Sequence, residues 1–246
     1  MTINSIHNAV SIINCFTEEK PELGISEIAA QLNMNQSTIH HIVKSLSSEG
    51  VLAKTPNRRY RLGSQLLGWG HLAAKQYKSF YMATPYLESL SKRTKEISHL
   101  ATLQNSEVIY LTKVEPNHPL RIETNIGARK PIHCTGLGKA MLAFQSEKFF
   151  EKMVPEELPA YTPNTITDKK ALRKELEQVR KQGFAVDDEE LEIGLFCIAA
   201  PVRNFLGQVI AAISISGPEF RLRKDLDQLS QIVIRTANSI SSQCDL

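Results

Sequence analysis

The stretch from Gly24 to Gly63 leaves few folds open, because two short amphipathic helices, a polar turn and an Arg-rich hairpin follow one another without a gap. In GISEIAAQLNM, Ile25, Ile28, Ala29 and Leu32 share one helical face, and the Ser26 hydroxyl is placed to cap the helix. Asn35, Gln36, Ser37 and Thr38 then supply a tight turn and a second N-cap. The helix that follows runs to about Glu49, where Gly50 stops it. It buries Ile39, Ile42, Val43 and Leu46 on one stripe and turns Gln36, Ser37, His40, His41, Lys44 and Ser45 outward.

Those outward groups are short, polar or basic, as a recognition helix requires to read base edges and hold phosphate. Val51 to Leu62, VLAKTPNRRYRL, is an extended hairpin around Pro56-Asn57 with Lys54, Arg58, Arg59 and Arg61 at or beside its turn. Any one of these pieces is ordinarily a solvated surface. In this order they predict a winged helix-turn-helix that binds double-stranded DNA. The candidate DNA contacts are Ser26, Asn35, Gln36, Ser37, Thr38, His40, His41, Lys44, Lys54, Arg58, Arg59 and Arg61.

A chain of 246 residues has room for a second, larger domain. Residues 1–80 hold eight Lys or Arg against five Asp or Glu, whereas residues 81–246 hold twenty-one of each. The positive excess is therefore confined to the N-terminal third, and its modest size favours gripping DNA as a homodimer or homotetramer over several half-sites. Cys15, Cys134, Cys197 and Cys244 form no CxxC pair, which argues against a zinc ribbon or a disulfide framework, and no metal site or cofactor is expected. With no signal peptide and no apolar run near the roughly twenty residues of a membrane span, a cytoplasmic protein without membrane association is expected.

Ahead of the supporting helix, Ser5 to Phe16 places Ile6, Val10, Ile13, Cys15 and Phe16 on or near one helical face. After the wing, Ser64 to Lys78 reads as a linker helix whose Leu66, Leu67, Trp69, Leu72 and Ala73 are too apolar for a lone connector, so it is expected to pack against another subunit or the DNA-binding module. Beyond it come a helix at Pro85–Lys95, strands at Ser98–Leu103, Val108–Val114 and Leu120–Thr124, a helix ending at Ala143 and a long helix at Asp168–Gln182. Strands at Phe196–Val202 and Gln208–Ser216 and a final helix at about Arg223–Ser242 complete an α+β pattern of antiparallel hairpins backed by helices. Residues 1–63, 64–80 and 81–246 are thus expected to be reader, linker or dimerisation helix, and sensor.

Thr135-Gly136-Leu137-Gly138 stands at a helix start, either as a plain cap or as a place where backbone N–H groups receive an anion. It is not a phosphate loop, since His133 and Ala140 occupy positions that would need Gly and a hydroxyl. Ser214 and Ser216 alternate with Ile213 and Ile215, so both hydroxyls share one sheet face and want partners. Asp187-Asp188-Glu189-Glu190 with Glu192 reads as a solvated acidic run, and Cys197 as a core thiol.

The segments GISEIAAQLNMNQSTIHHIVKSLSSEG, GARKPIHCTGLGKAMLAF and GFAVDDEELEIGLFCIAAPV with the later AAISISGP, in that order, resemble the IclR family of bacterial transcriptional regulators over nearly the whole chain. The family usually has Arg where His41 stands and often where Asn8 stands. The resemblance implies a C-terminal GAF-like domain that binds a small effector, often a carboxylate or sugar derivative. It places Asp187 and Cys197 in the pocket, so Gly136, Leu137, Asp187, Cys197, Ser214 and Ser216 are expected to surround one polar metabolite, and family habit favours repression.

Two other functions compete. A sequence-neutral nucleic-acid binder would be more basic and carry more exposed aromatics than Tyr60 alone in the wing. An enzyme would pair Cys134 or Cys197 with His133 or His99. Adjacent His133 and Cys134 point apart if extended, and no Gly-x-Ser-x-Gly elbow surrounds Ser214 or Ser216, so no catalytic residue is expected.

Overall fold

The computed structural model describes residues 4–17, 19–76, 82–116 and 124–243. It contains two compact units, Met1–Tyr77 and Lys78–Leu246. The first comprises α1 (Asn4–Ile13), α2 (Ile25–Leu32), α3 (Gln36–Ser48), β1 (Leu52–Lys54), β2 (Tyr60–Leu62) and α4 (Gln65–Gln76). Its core joins Ile12 and Cys15 to Ile28 and Ala29 of α2, Ile39 and Val43 of α3, and Leu52 and Tyr60 of the hairpin.

Two expectations for this unit are corrected. On α1, Ile6 and Val10 are 61% and 51% exposed, while Ile12 is buried. The stripe through Ile12 wins because it continues at i+3 and i+4 into Cys15 and Phe16, which enter the core after the helix has ended. On α2, Gly24 and not Ser26 is the N-cap; the Glu27 carboxylate accepts the Gly24 N–H at 2.6 Å, the half of a capping box that needs no cap side chain.

The wing closes tightly on the end of α3. Strand β1 pairs antiparallel with β2, and Leu23 adds a two-bond bridge to Tyr60 at 2.9 and 2.8 Å. A Cβ on Gly63 would lie 2.1 Å from the Gly50 carbonyl oxygen, so only glycine lets the second strand return past the helix end. Leu67, Trp69 and Leu72 of α4 are 77%, 50% and 59% exposed within this unit.

In the second unit α5 (Thr84–Thr94) leads into β3 (Ile97–Gln104), β4 (Glu107–Val114) and β5 (Arg129–Pro131). Then follow α6 (Gly136–Leu142), α7 (Glu147–Met153), α8 (Lys169–Gln182), β6 (Ala185–Asp188), β7 (Leu195–Arg203), β8 (Val209–Pro218), α9 (Glu219–Leu222) and α10 (Leu226–Ser241). The six strands form one antiparallel sheet in the order β5-β4-β3-β8-β7-β6. Sequence reading missed β5, β6 and α7. Of the strand expected at Leu120–Thr124, residues 120–123 lie outside the described residues, as does the expected end of the linker helix beyond Gln76, and Thr124 belongs to no strand.

Each sheet face has its own core. Leu137, Ala140 and Met141 of α6, Phe150 of α7 and Leu172, Leu176 and Val179 of α8 cover one face. Leu87 and Leu90 of α5, Leu222 of α9 and Val233, Ala237 and Ile240 of α10 cover the other, against Ile213 and Ile215. Helix α6 comes close because Gly138 abuts Ile132; a Cβ there would lie 2.3 Å from the Ile132 carbonyl oxygen.

Two substitutions measure these packings in urea titrations of the full chain. Ile39→Ala empties the helix-turn-helix core and is expected to cost about 2–5 kcal/mol. Gly138→Ala is expected to cost about 1–3 kcal/mol, and an unchanged unfolding midpoint would show that α6 does not depend on that approach.

Candidate functional site

On the first unit, Ser26, Asn35, Gln36, Ser37, Thr38, His40, His41, Lys44, Lys54, Arg58 and Arg61 are all exposed. Seven of them come from α3 and the residue before it, because burial of Ile39 and Val43 fixes which side of the helix stays wet. The His40 and His41 rings meet edge to face, with centroids 5.9 Å apart.

Arg59, by contrast, already has partners within the unit. Its guanidinium donates to the Glu22 carbonyl at 2.8 Å and to the Glu27 carboxylate at 2.9 Å, so this arginine ties the wing to the start of α2. Glu27 thereby serves two donors, Gly24 N–H and Arg59, and both hold its carboxyl below the usual carboxylate range, the Gly24 hydrogen bond foremost. The sequence signal was present in the Gly24-x-x-Glu27 spacing of a capping box.

On the second unit, strand alternation brings a polar row onto the sheet face that α6 covers. Asp187 of β6 stands opposite Cys197 of β7, and Cys197 opposite Ser216 of β8. Ser214 stands opposite His99 of β3, and Ala101, two residues on, opposite Tyr110 of β4. These side chains, with Thr124, Lys130, Thr135, Gly136, Leu137, Leu191, Glu192 and Leu195, line one small cavity. All six residues expected around a metabolite are in that lining. Sequence reading missed His99, Tyr110 and Thr124 as lining residues, although the period of two that picked out Ser214 and Ser216 also puts His99 and Ala101 on one face.

The start of α6 is less open to an anion than its sequence implies. Thr135 Oγ1 accepts the Gly138 N–H at 3.1 Å, and the Thr135 carbonyl accepts the Lys139 N–H at 2.9 Å. Those two donors are spent on the helix's own cap, leaving Gly136 and Leu137 as its cavity-facing turn.

The acidic run is not a solvated surface. Asp187 is buried because β6 turns alternate residues inward, and Glu190, in the loop that follows, is buried against Lys139. The Asp187 carboxylate accepts the N–H groups of Glu190 at 2.9 Å and Leu191 at 3.4 Å, shaping the loop beside the cavity. Glu190 pairs with the fully buried Lys139 of α6, whose ammonium also lies 3.6 Å from Glu175. Asp188 faces the other way and takes Arg223 at 2.8 Å. Burial pushes Asp187 up to about 7, only partly offset by its N–H donors, and burial likewise raises Glu190 against the pull of Lys139.

The thiols and histidines respond to the same low-polarity surroundings. Burial, with the nearby Asp187 charge second, pushes Cys134 up to about 12 and raises Cys197 strongly. His133 Nε2 lies 3.0 Å from the Pro159 carbonyl, and His99 Nε2 lies 2.8 Å from Thr124 Oγ1. Among the described residues no group of His, Cys, Asp and Glu could hold a metal ion, and no helix is long and apolar enough to cross a membrane.

A winged helix-turn-helix carried in one chain with a curled-sheet domain around a polar cavity defines a ligand-sensing, DNA-binding regulator. Similarity to known proteins agrees. Residues 5–56 match the IclR helix-turn-helix domain, and residues 71–242 match the bacterial transcriptional regulator IclR C-terminal domain. The chain is 35% identical over 216 residues to the HTH-type transcriptional regulator XynR of Escherichia coli, covering 87% of this chain and 86% of that protein. The crystal structure of an IclR-type regulator from Alicyclobacillus acidocaldarius superposes with a TM-score of 0.85 at 26% identity, over 99% of both chains. An IclR homologue from Microbacterium hydrocarbonoxydans, crystallised with 4-hydroxybenzoate, shares the fold with a TM-score of 0.85 at 24% identity, over 97% of this chain and 98% of that one. The chain belongs to the IclR family of bacterial transcriptional regulators.

Burial of the two carboxyls makes stability respond to pH and to charge removal. The folded chain holds the Asp187 proton between its ordinary 3.8 and about 7, where the unfolded chain has lost it. This group therefore makes stability fall as pH rises through that window, and Asp187→Asn is expected to flatten the fall in urea titrations run at several pH values. Lys139→Met leaves Glu190 buried without its cation and is expected to cost about 3–5 kcal/mol, most of it recovered in the Lys139→Met/Glu190→Gln double variant.

Proposed function

We propose that the chain is a repressor of a catabolic operon, controlled by a small carboxylate or sugar acid that occupies the cavity beneath α6. Residues 1–63 read the operator, residues 64–80 form a linker and dimerisation helix, and residues 81–246 sense the effector. The observation that carries the reading is the convergence of Gly136, Leu137, Asp187, Cys197, Ser214 and Ser216, drawn from four separate elements, on one enclosed space. A cavity with buried hydroxyls and few fixed charges suits a small polar ligand held mainly by hydrogen bonds. The 4-hydroxybenzoate bound by the Microbacterium homologue is a carboxylate of that kind.

In this reading the protein works in the cytoplasm as a homodimer or homotetramer, and ligand binding changes the relative placement of paired winged helices. The exposed Leu67, Trp69 and Leu72 of α4 support association through that helix. Gln36, Ser37, Thr38, His40, His41 and Lys44 face the DNA, while Lys54, Arg58 and Arg61 hold its backbone. Ser26 and Asn35 are exposed beside them, whereas Arg59 supports the wing from behind. Against an enzyme stand the buried thiols of Cys134 and Cys197, which burial holds protonated, since only the thiolate is a nucleophile.

Two measurements test the halves separately. Ser214→Ala/Ser216→Ala is expected to abolish effector-dependent release from operator DNA while leaving operator affinity intact; an unchanged response removes the cavity assignment. Arg58→Ala/Arg61→Ala is expected to weaken binding and to lower the salt slope by about 0.9 for each phosphate that is no longer neutralised, whereas Arg59→Ala leaves that slope unchanged.

A further inference from the structure

The cavity holds a polar atom that its own walls leave without a partner. His99 is 1% exposed, its Nε2 is occupied by Thr124 Oγ1 at 2.8 Å, and its ring stands edge-on to Tyr110 with centroids 5.1 Å apart. Its Nδ1 has no hydrogen-bond partner among the described residues. A buried nitrogen in that state is costly unless a ligand completes it, and the ring is part of the cavity lining.

At the opposite end of the row some of the polar capacity is already committed. Asp187 Oδ1 takes two backbone N–H groups, and the Cys197 thiol lies between Asp187 and Ser216. From β6 to β3 the row crosses three strand spacings of about 4.8 Å, roughly 14 Å between backbones before the side chains reach inward. A short keto acid seated at the Asp187 end cannot also meet His99.

Resting on the reading of this cavity as the effector site, we propose that His99 is a specificity-determining contact whose Nδ1 takes a hydroxyl of the effector, a polyhydroxylated acid longer than a three-carbon one. Burial pushes the His99 ring down to about 3, so the ring is neutral at physiological pH and offers one donor and one acceptor. That matches a hydroxyl, which both gives and takes a hydrogen bond. A carboxylate only accepts, so it suits just one of the two ring tautomers, whereas a hydroxyl suits either. A site built to bond a hydroxyl rejects analogues that lack one, which turns His99 into a filter on the ligand's hydroxylation.

The test measures affinity by titration calorimetry on the full chain with gluconate, mannonate and arabinonate, using lactate as a short control and hexanoate as an unhydroxylated one. The wild type is expected to bind at least one of the sugar acids better than either control. His99→Leu is expected to weaken that acid by about tenfold or more while leaving lactate and hexanoate unchanged, with His99→Asn between the two. If Ser214→Ala/Ser216→Ala abolishes binding but His99→Leu does not weaken it, the cavity reading stands and the role of His99 falls. If neither variant alters affinity, the cavity reading falls and takes this inference with it. Should His99→Leu not fold, the wild type alone decides, since equal or weaker binding of all three sugar acids than of hexanoate overturns the proposal.

Discussion

The antiparallel register of β8 between β3 and β7 is the constraint on which the sensing unit depends. It sets His99 against Ser214 and Ser216 against Cys197, and a shift of one residue on any of the three strands would send that strand's polar groups into the apolar core behind the sheet. Ile213 and Ile215 enforce the register from the opposite face, where they pack with α5 and α10. Apolar packing on one side thus positions polar chemistry on the other. Helix α6 completes the arrangement by covering the same face over Ala101, Ala199 and Ala212, whose small side chains let it approach.

The DNA-binding unit uses a parallel economy in its polar contacts. Glu27 caps α2 through Gly24 and holds Arg59, and Arg59 reaches the Glu22 carbonyl, so the first turn of the supporting helix and the base of the wing share one small network. On the outward face of α3, Gln36, Ser37, Thr38 and Lys44 make no such side-chain bonds among the described residues, and the wing presents Arg58 and Arg61. Basic residues within one short hairpin therefore divide between holding the hairpin and facing outward.

Much of this was legible in the amino-acid sequence wherever a periodic apolar stripe met a clear boundary. Helices α2, α3, α8 and α10 and strands β7 and β8 fall within a few residues of their expected bounds. Short elements escaped because three or four residues carry too little pattern: Arg129–Pro131 and Ala185–Asp188 are strands only because β4 and β7 offer them edges. The acidic run misled for a related reason, since pairing on one edge buries Asp187 while sparing Asp188, and Lys139, the partner of Glu190, stands 51 residues away. Arg59 was assigned by composition, whereas its partner was set by tertiary contact. Ser214 and Ser216 were readable because alternation over a long strand needs no distant partner to be seen.

The ion pair between Lys139 and Glu190 also fixes one wall of the cavity. It bolts the loop after β6 to α6, and the Thr162 and Thr165 hydroxyls each hold that loop's carbonyls at 2.6 Å. Swinging this loop away would strand two buried charges, so it stands as a fixed wall of the cavity, with Leu191 and Glu192 held in the lining.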